Sequence, residues 1–284
     1  MPRKPWDPLG SRARAGQTGQ RGAVGRRGQK VRQTAHPQSR RYRTTDRDRV
    51  LLYGWHPVKA ALENPRRRIR KLMVTENALR RLKENAIHLP VEAQVVSSDS
   101  FSAYVPVDAV HQGILAEADP LPPCAIEDVN AEGILLVLDQ ITDPHNVGAI
   151  LRSAAAFGVT ALVTTSRHSP EATAALAKAA SGALEYVPII LVPNLARGLE
   201  ALKARGALVV GLDSAAELDL AAVPLRTPLA IVLGAERKGL RQLTRTTCDV
   251  LARLALPGRI QSLNVSNAAA LALHIASAKL ARPA

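Results

Sequence analysis

The chain has 284 residues, 46% hydrophobic and 22% charged, with a formal net charge of +14, long enough for two ordinary domains of roughly 100–200 residues. Its apolar runs, such as Ile134–Leu138, fall far short of the ~20 residues of a membrane span, and no apolar stretch follows Arg3 and Lys4 as a secretory signal requires, so a cytoplasmic protein without a membrane partner is expected. Cys124 and Cys248 lie far apart without a C-x-x-C partner; they indicate neither a disulfide framework nor a zinc site, and read as buried reduced thiols.

The charge is concentrated at the start. Residues 1–49 hold fourteen Lys or Arg against three Asp, so eleven of the fourteen net charges lie there. A Gly/Gln/Arg-rich segment with few apolar residues cannot offset its ordering entropy by burial, so residues 1–48 are predicted to be a disordered basic tail. Its chemistry suits nucleic-acid phosphates, with a solvated solubility tail as the alternative.

Order is expected from about Val50. Leu51 to Leu62 reads as a short strand, a turn and a helix ended by Asn64-Pro65. A strand over Ile69–Thr75, a helix over Ala78–Asn85, and strands at Val91–Ser97 and Gly113–Ala116 complete a small α/β unit spanning 49–119. Asp119-Pro120-Leu121-Pro122-Pro123 forbids helix and central strand alike and opens a linker over 120–132. From 133 to 284 the pattern becomes βα. Strands are predicted at Ile134–Asp139, Ala161–Thr165, Val187–Val192, Ala207–Leu212, Leu229–Leu233 and Leu251–Leu256, with helices over Val147–Phe157, Glu171–Ala180, Leu195–Arg205 and Ala268–Ala281. Short apolar strands alternating with helices imply a parallel sheet covered on both faces.

In such sheets ligands gather at the carboxyl ends of the strands, where three loops are unusual. The first, Leu138 to Arg152, packs Asp139, Gln140, Asp143, His145 and Asn146 into a strand-to-helix turn. Asn146 is a candidate helix cap, and Arg152 a five-donor fork for phosphate. The second, Leu233-Gly234-Ala235-Glu236-Arg237-Lys238-Gly239-Leu240, has glycines that permit positive φ and close ligand approach, but neither the Walker nor the dinucleotide spacing. The third, Leu256 to Asn267, carries Ser262, Asn264 and Ser266 before an Ala-rich helix. Capping explains one of these three polar residues; it does not explain all three.

Together the loops read N-x-G-x-[IL]-x-R, G-x-E-x-x-G and S-L-N-V-S, and in this order they resemble the signature motifs of the SpoU/TrmH family of SPOUT RNA 2′-O-ribose methyltransferases. The resemblance covers about 133–277. Tyr53-Gly54, Val58 to Leu62 and His111-Gln112-Gly113 are similar to that family's substrate-binding domain. What the resemblance implies is an α/β fold: a C-terminal parallel-sheet domain with a deep trefoil knot, plus a small N-terminal α/β substrate-binding domain. It implies S-adenosylmethionine as cofactor, no metal, and a homodimer that shares active-site residues. It also implies cofactor contacts at Gly234, Leu254 and Leu263, and catalytic positions at Asn146, Arg152, Glu236, Ser262 and Asn264. Leu254-Ala255-Leu256 departs from the family's apolar–proline–apolar triplet by lacking the proline.

The implied substrate is a guanosine in 23S ribosomal RNA. The alternatives are a tRNA enzyme of the same family, a non-catalytic ribosome-associated RNA-binding protein, and a nucleotide-dependent oxidoreductase with Asp213 as ribose ligand. A ribose hydroxyl is almost fully protonated at neutral pH, so such an enzyme must align the oxygen with the donor methyl and accept one proton. A guanidinium with a pKa above ~12 is a poor proton acceptor, so Arg152 is read as an anchor for the target nucleotide, held in place by Asn146 and Glu236.

Overall fold

The computed structural model describes residues 49–129, 132–167, 173–236, 238–260 and 262–281. The predicted disorder and RNA contacts of the 1–48 tail therefore lie outside the described residues. Two sheets organise the rest. The first holds β1 (Val50–Tyr53), β2 (Ile69–Val74), β3 (Ala93–Val95) and β4 (Ile114–Ala118) in the order β1-β4-β2-β3. β4 pairs antiparallel with β1 and β2, and β3 runs parallel to β2.

One face of this sheet is covered by α1 (Trp55–Glu63) and α2 (Glu76–Glu84), through Val58, Ala61, Leu62, Ala78 and Leu82. The other packs Tyr53, Met73 and Leu115 on Phe101 and Val105. Period-2 alternation along each strand divides the side chains between the faces. A 3-10 turn at Ser98–Ala103, not predicted, carries Phe101 into that second cluster. Helix α2 starts two residues earlier than predicted because the Thr75 hydroxyl accepts the Ala78 N–H and caps it.

The second sheet has six strands, all parallel, in the order β10-β8-β9-β5-β6-β7. These are β5 (Ile134–Asp139), β6 (Ala161–Thr165), β7 (Ile189–Val192), β8 (Leu208–Leu212), β9 (Leu229–Gly234) and β10 (Val250–Ala252). The central β5 is buried at every residue, as an unbroken apolar run between two helical layers must be. Helices α3 (Pro144–Ala156), α4 (Ala174–Ala180) and α7 (Val265–Leu280) contribute to the core on one face. On the other, α5 (Leu195–Ala204) packs Leu195, Leu199 and Leu202, with α6 (Gln242–Thr247) beside it.

Two predicted elements and the state of the cysteines need correction. The strand expected over Leu251–Leu256 ends at Ala252, after which Arg253 makes only an isolated bridge to Asp219. The last helix begins at Val265 rather than Ala268, because Asn264 caps it. The cysteines are half-buried free thiols, not buried ones. Among the described residues no helix is long and apolar enough to cross a membrane.

The two sheets are joined by polar and apolar contacts. Ala177 of α4 belongs to the core of the smaller sheet. Glu185, in a 3-10 turn after α4, accepts from Asn64 Nδ2 at 2.7 Å and from Arg67 Nη2 at 2.7 Å, while Arg67 Nη1 donates to the Asp119 carbonyl at 2.8 Å. Side chains Arg67 and Glu185 are only 4% and 1% exposed.

Candidate active site

The site is assembled at the carboxyl ends of β5 and β9, which run side by side with Asp139 opposite Gly234. Asp139 is fully buried, and its carboxylate accepts the Arg241 backbone N–H at 2.9 Å and Nε at 2.6 Å. The chain then turns through Gln140, a non-glycine residue at φ 60°. Such a conformation persists only where surrounding structure enforces it.

Helix α3 follows. Its cap is Asp143, which accepts the His145 N–H at 3.2 Å, with Pro144 as first helical residue. Asn146 is therefore not the cap, and its amide is available for other work. Gly148 lets α3 lie against α4, because a Cβ there would stand 2.4 Å from Ala179 Cβ and 2.8 Å from the Leu176 carbonyl oxygen.

At the end of β9 the chain doubles back, and the Gly239 N–H donates to the Ala235 carbonyl at 2.8 Å. A Cβ on Gly234 would sit 2.2 Å from the Gly239 carbonyl carbon, so Gly234 is required by the loop's own closure. Positive φ occurs at Gly239 but not at Gly234. This closure presents Glu236 to the start of α7. Glu236 Oε1 accepts from Asn146 Nδ2 at 3.1 Å, from Asn264 Nδ2 at 2.7 Å and from the Val265 N–H at 3.3 Å. Asn264 Nδ2 also donates to Asn146 Oδ1 at 2.9 Å, and Asn264 Oδ1 accepts the Ser266 N–H at 2.9 Å as helix cap. One residue from each of the three unusual loops thus meets at one carboxylate.

Beside this network lies a cleft of about 520 Å³ lined by Leu233, Gly234, Glu236, Leu254, Ser262 and Leu263, among others. Its volume is in the range of small-molecule sites, and it mixes aliphatic walls with the carboxylates of Glu236 and Asp213. Asp213 is tied to Arg245 at 3.2 Å. The structure therefore brings together Asn146, Glu236, Ser262, Asn264, Gly234, Leu254 and Leu263. Arg152 stays apart. It is exposed, with no hydrogen bond or ion pair among the described residues, and lies six residues beyond Asn146, or ~9 Å along α3 and about a third of a turn round it. The expectation that Asn146 and Glu236 hold Arg152 is not met within the chain, where the two bind each other and Asn264 instead. Asp213 at the cleft was foreseen only for a dinucleotide enzyme, and the Asp139–Arg241 pair was not foreseen. No cluster of three or more His, Cys, Asp or Glu suited to a metal occurs among the described residues.

Residues 133–274, which contain the whole network and cleft, match the model of the SpoU rRNA Methylase family. The chain belongs to the SpoU rRNA methylase family. Residues 51–124 match a second model, RNA 2′-O ribose methyltransferase substrate binding. Among relatives, the 23S rRNA (guanosine-2′-O-)-methyltransferase RlmB of Pseudomonas putida is 37% identical over 231 residues, covering 78% of this chain and 93% of that one. The protein of the same name from Ralstonia nicotianae is 39% identical over 232 residues, covering 78% and 93%. The fold is shared with the SpoU methyltransferase AviRb from Streptomyces viridochromogenes in complex with the cofactor AdoMet, at TM-score 0.67 and 23% identity over 81% of this chain and 89% of that one.

Proposed function

We propose that the protein transfers a methyl group from S-adenosylmethionine to the ribose 2′-hydroxyl of a guanosine in 23S ribosomal RNA, working in the cytoplasm as a homodimer. The observation that carries this reading is Glu236 Oε1, which gathers Asn146, Asn264 and the α7 N-terminus at the edge of the cleft. The RlmB relatives, matched over 93% of their length, support the choice of RNA and nucleoside.

The cleft fits the cofactor. Leu212, Leu233, Leu254 and Leu263 offer apolar surface for an adenine, the side-chain-free Gly234 leaves backbone at the floor, and Asp213 and Glu236 offer acceptors for hydroxyl or ammonium groups. When bound, the cofactor supplies a sulfonium methyl that is electrophilic without a metal. The protein's own residues have two tasks, to align the hydroxyl and to hold its proton. Glu236 Oε2 takes no hydrogen bond among the described residues, and we assign it the hydrogen bond from the ribose hydroxyl. Asn146 and Asn264 fix that carboxylate, and Ser262 lines the approach. Arg152 anchors the target nucleotide through its phosphate. Because it does not reach its own chain's network, we infer that it completes the site of a second copy, which gives the homodimer its purpose.

We further propose, from membership of the family alone, that the C-terminal segment threads through the preceding loop as a deep trefoil knot, a rare exception among folds. We read 49–119 as the RNA substrate-binding domain, 120–132 as linker and 133–284 as the methyltransferase domain, with the 1–48 tail adding phosphate contacts. The test is methyl transfer from labelled S-adenosylmethionine to a 23S rRNA transcript, with cofactor binding followed by calorimetry. Arg152→Ala should abolish transfer and leave the calorimetric signal intact. Full turnover in that variant overturns the role of Arg152, and no heat from the cofactor with the wild-type protein overturns the enzyme.

A further inference from the structure

A second cavity opens on the same carboxyl edge of the large sheet. It is small, about 180 Å³, and lies beyond the ends of β6 and β7, lined by Thr165, Arg167, Asn194, Arg241 and Thr244, among others. Two arginines line it, and among the described residues no carboxylate does. Arg241 is held by Asp139 through Nε and its backbone N–H, and its Nη groups make no hydrogen bond among the described residues. The side chain is 40% exposed. Arg167, which also lines the cavity, is exposed and without a partner among the described residues. One guanidinium is thus fixed in direction with its outer fork open, and the other is free to close on whatever that fork receives. Hydrogen-bond donors, no carboxylate in the lining among the described residues and a volume too small for a nucleoside select a tetrahedral oxyanion.

Its position selects the source of that oxyanion. Arg241 follows Glu236 by five residues, so the two stand no more than about 18 Å apart along even a fully extended chain. Asp139, which holds Arg241, is the β-ladder neighbour of Gly234 in the cleft floor. A strand delivering its ribose to Glu236 therefore passes within a few nucleotides of this cavity. We infer that the Arg167–Arg241 cavity is a phosphodiester subsite that grips the RNA backbone beside the nucleotide being methylated. The subsite rests on the reading of the protein as an RNA methyltransferase, yet it can be tested by binding alone. It sets where along the strand the target sits, and it discriminates no base, because phosphate contacts position while base contacts specify.

The experiment measures the affinity of the full chain for a 23S rRNA transcript over a series of salt concentrations, with methyl transfer assayed in parallel. Arg167 is exposed and uninvolved in packing, so Arg167→Ala, Arg167→Glu and Arg167→Lys should all fold. Arg167→Glu should weaken RNA binding about tenfold and lower the salt slope by about one. It should raise the KM for RNA and leave kcat at saturating RNA and cofactor affinity unchanged. Arg167→Lys should recover part of the affinity, since it keeps the charge and loses the fork. Unchanged RNA affinity and salt slope in Arg167→Glu overturns the subsite even if the wild type methylates RNA. Conversely, wild-type RNA binding that depends on Arg167 without any methyl transfer keeps the subsite and removes the catalytic reading. Should inorganic phosphate or a nucleoside monophosphate bind in an Arg167-dependent way while RNA affinity does not change, the cavity serves a free anion and the RNA assignment is overturned.

Discussion

Glu185 and Glu236 both tie together segments about ninety residues or more apart in sequence, and they do so in opposite surroundings. Glu185 is sealed. Both of its oxygens accept hydrogen bonds from Arg67 and one also from Asn64, and its side chain is 1% exposed. Glu236 is exposed, and its three donors converge on Oε1 alone. A carboxylate with every acceptor site filled by protein holds the fold. One left half-filled beside a cleft is ready for a ligand, and the contrast separates structure from function without reference to a sequence motif.

The contrast breaks if Glu185 proves dispensable. Glu185→Ala leaves the Arg67 guanidinium buried without its counter-charge, so the expected loss is about 3–5 kcal/mol, read as a lower urea midpoint. Replacing the pair together, as Arg67→Met with Glu185→Leu, should recover most of that loss, since an apolar pair of similar volume carries no buried charge to desolvate. A loss below about 1 kcal/mol in Glu185→Ala would show that solvent reaches the pair and that the two carboxylates are not different in kind.

Glu236→Ala sharpens the same contrast from the other side. It should lower methyl transfer about 100-fold, since the amides of Asn146 and Asn264 lose the atom that orients them, which amounts to about 2.7 kcal/mol of barrier. Stability should change by less than about 1 kcal/mol, because water can replace the lost acceptor at an exposed position. A variant that loses stability and keeps its rate would reverse the assignment of the two residues.

The parallel sheet was legible in the sequence because β5 and β9 carry the unbroken apolar runs Ile134–Leu138 and Leu229–Leu233, and burial on both faces is what produces such runs. The meeting of Asn146, Glu236 and Asn264 was legible only through the order of their three motifs, since nothing local to any of them points at the others. The cap of α3 is Asp143 and not Asn146. Asp143 followed by Pro144 carries the stronger signal, because proline at the first helical position gives up an N–H that has no partner there. Helix α6 left no trace, being six residues, QLTRTT, with three threonines and no apolar period. Strand β10 was overextended because apolar residues continue to Leu256, where they line the cleft instead of pairing. The Asp139–Arg241 bond joins residues 102 apart in sequence, a proximity that only the finished sheet creates.

The last contrast concerns a half-buried group with no part in the site. Cys248 donates to the Thr244 carbonyl at 3.2 Å, and burial, with the nearby Asp249 carboxylate adding to it and Lys203 opposing, pushes its thiol up to about 12. The thiolate is the reactive form, and an ordinary thiol ionises near pH 8.5. At pH 8 the native Cys248 should therefore react with iodoacetamide on the order of a thousand-fold more slowly than in urea, from ionisation alone. The same shift fixes a sign for stability: the fold favours the neutral thiol, so this contribution is intact below about pH 8.5 and is lost as pH rises toward 12. Mass spectrometry of alkylated peptides reads the first effect and urea midpoints at pH 8 and 10 the second. Equal labelling of Cys248 in the native and unfolded chain would mean that the segment around α6 opens readily. That opening would also release Arg241 from Asp139, so rapid labelling would predict weakened RNA binding in the same preparation.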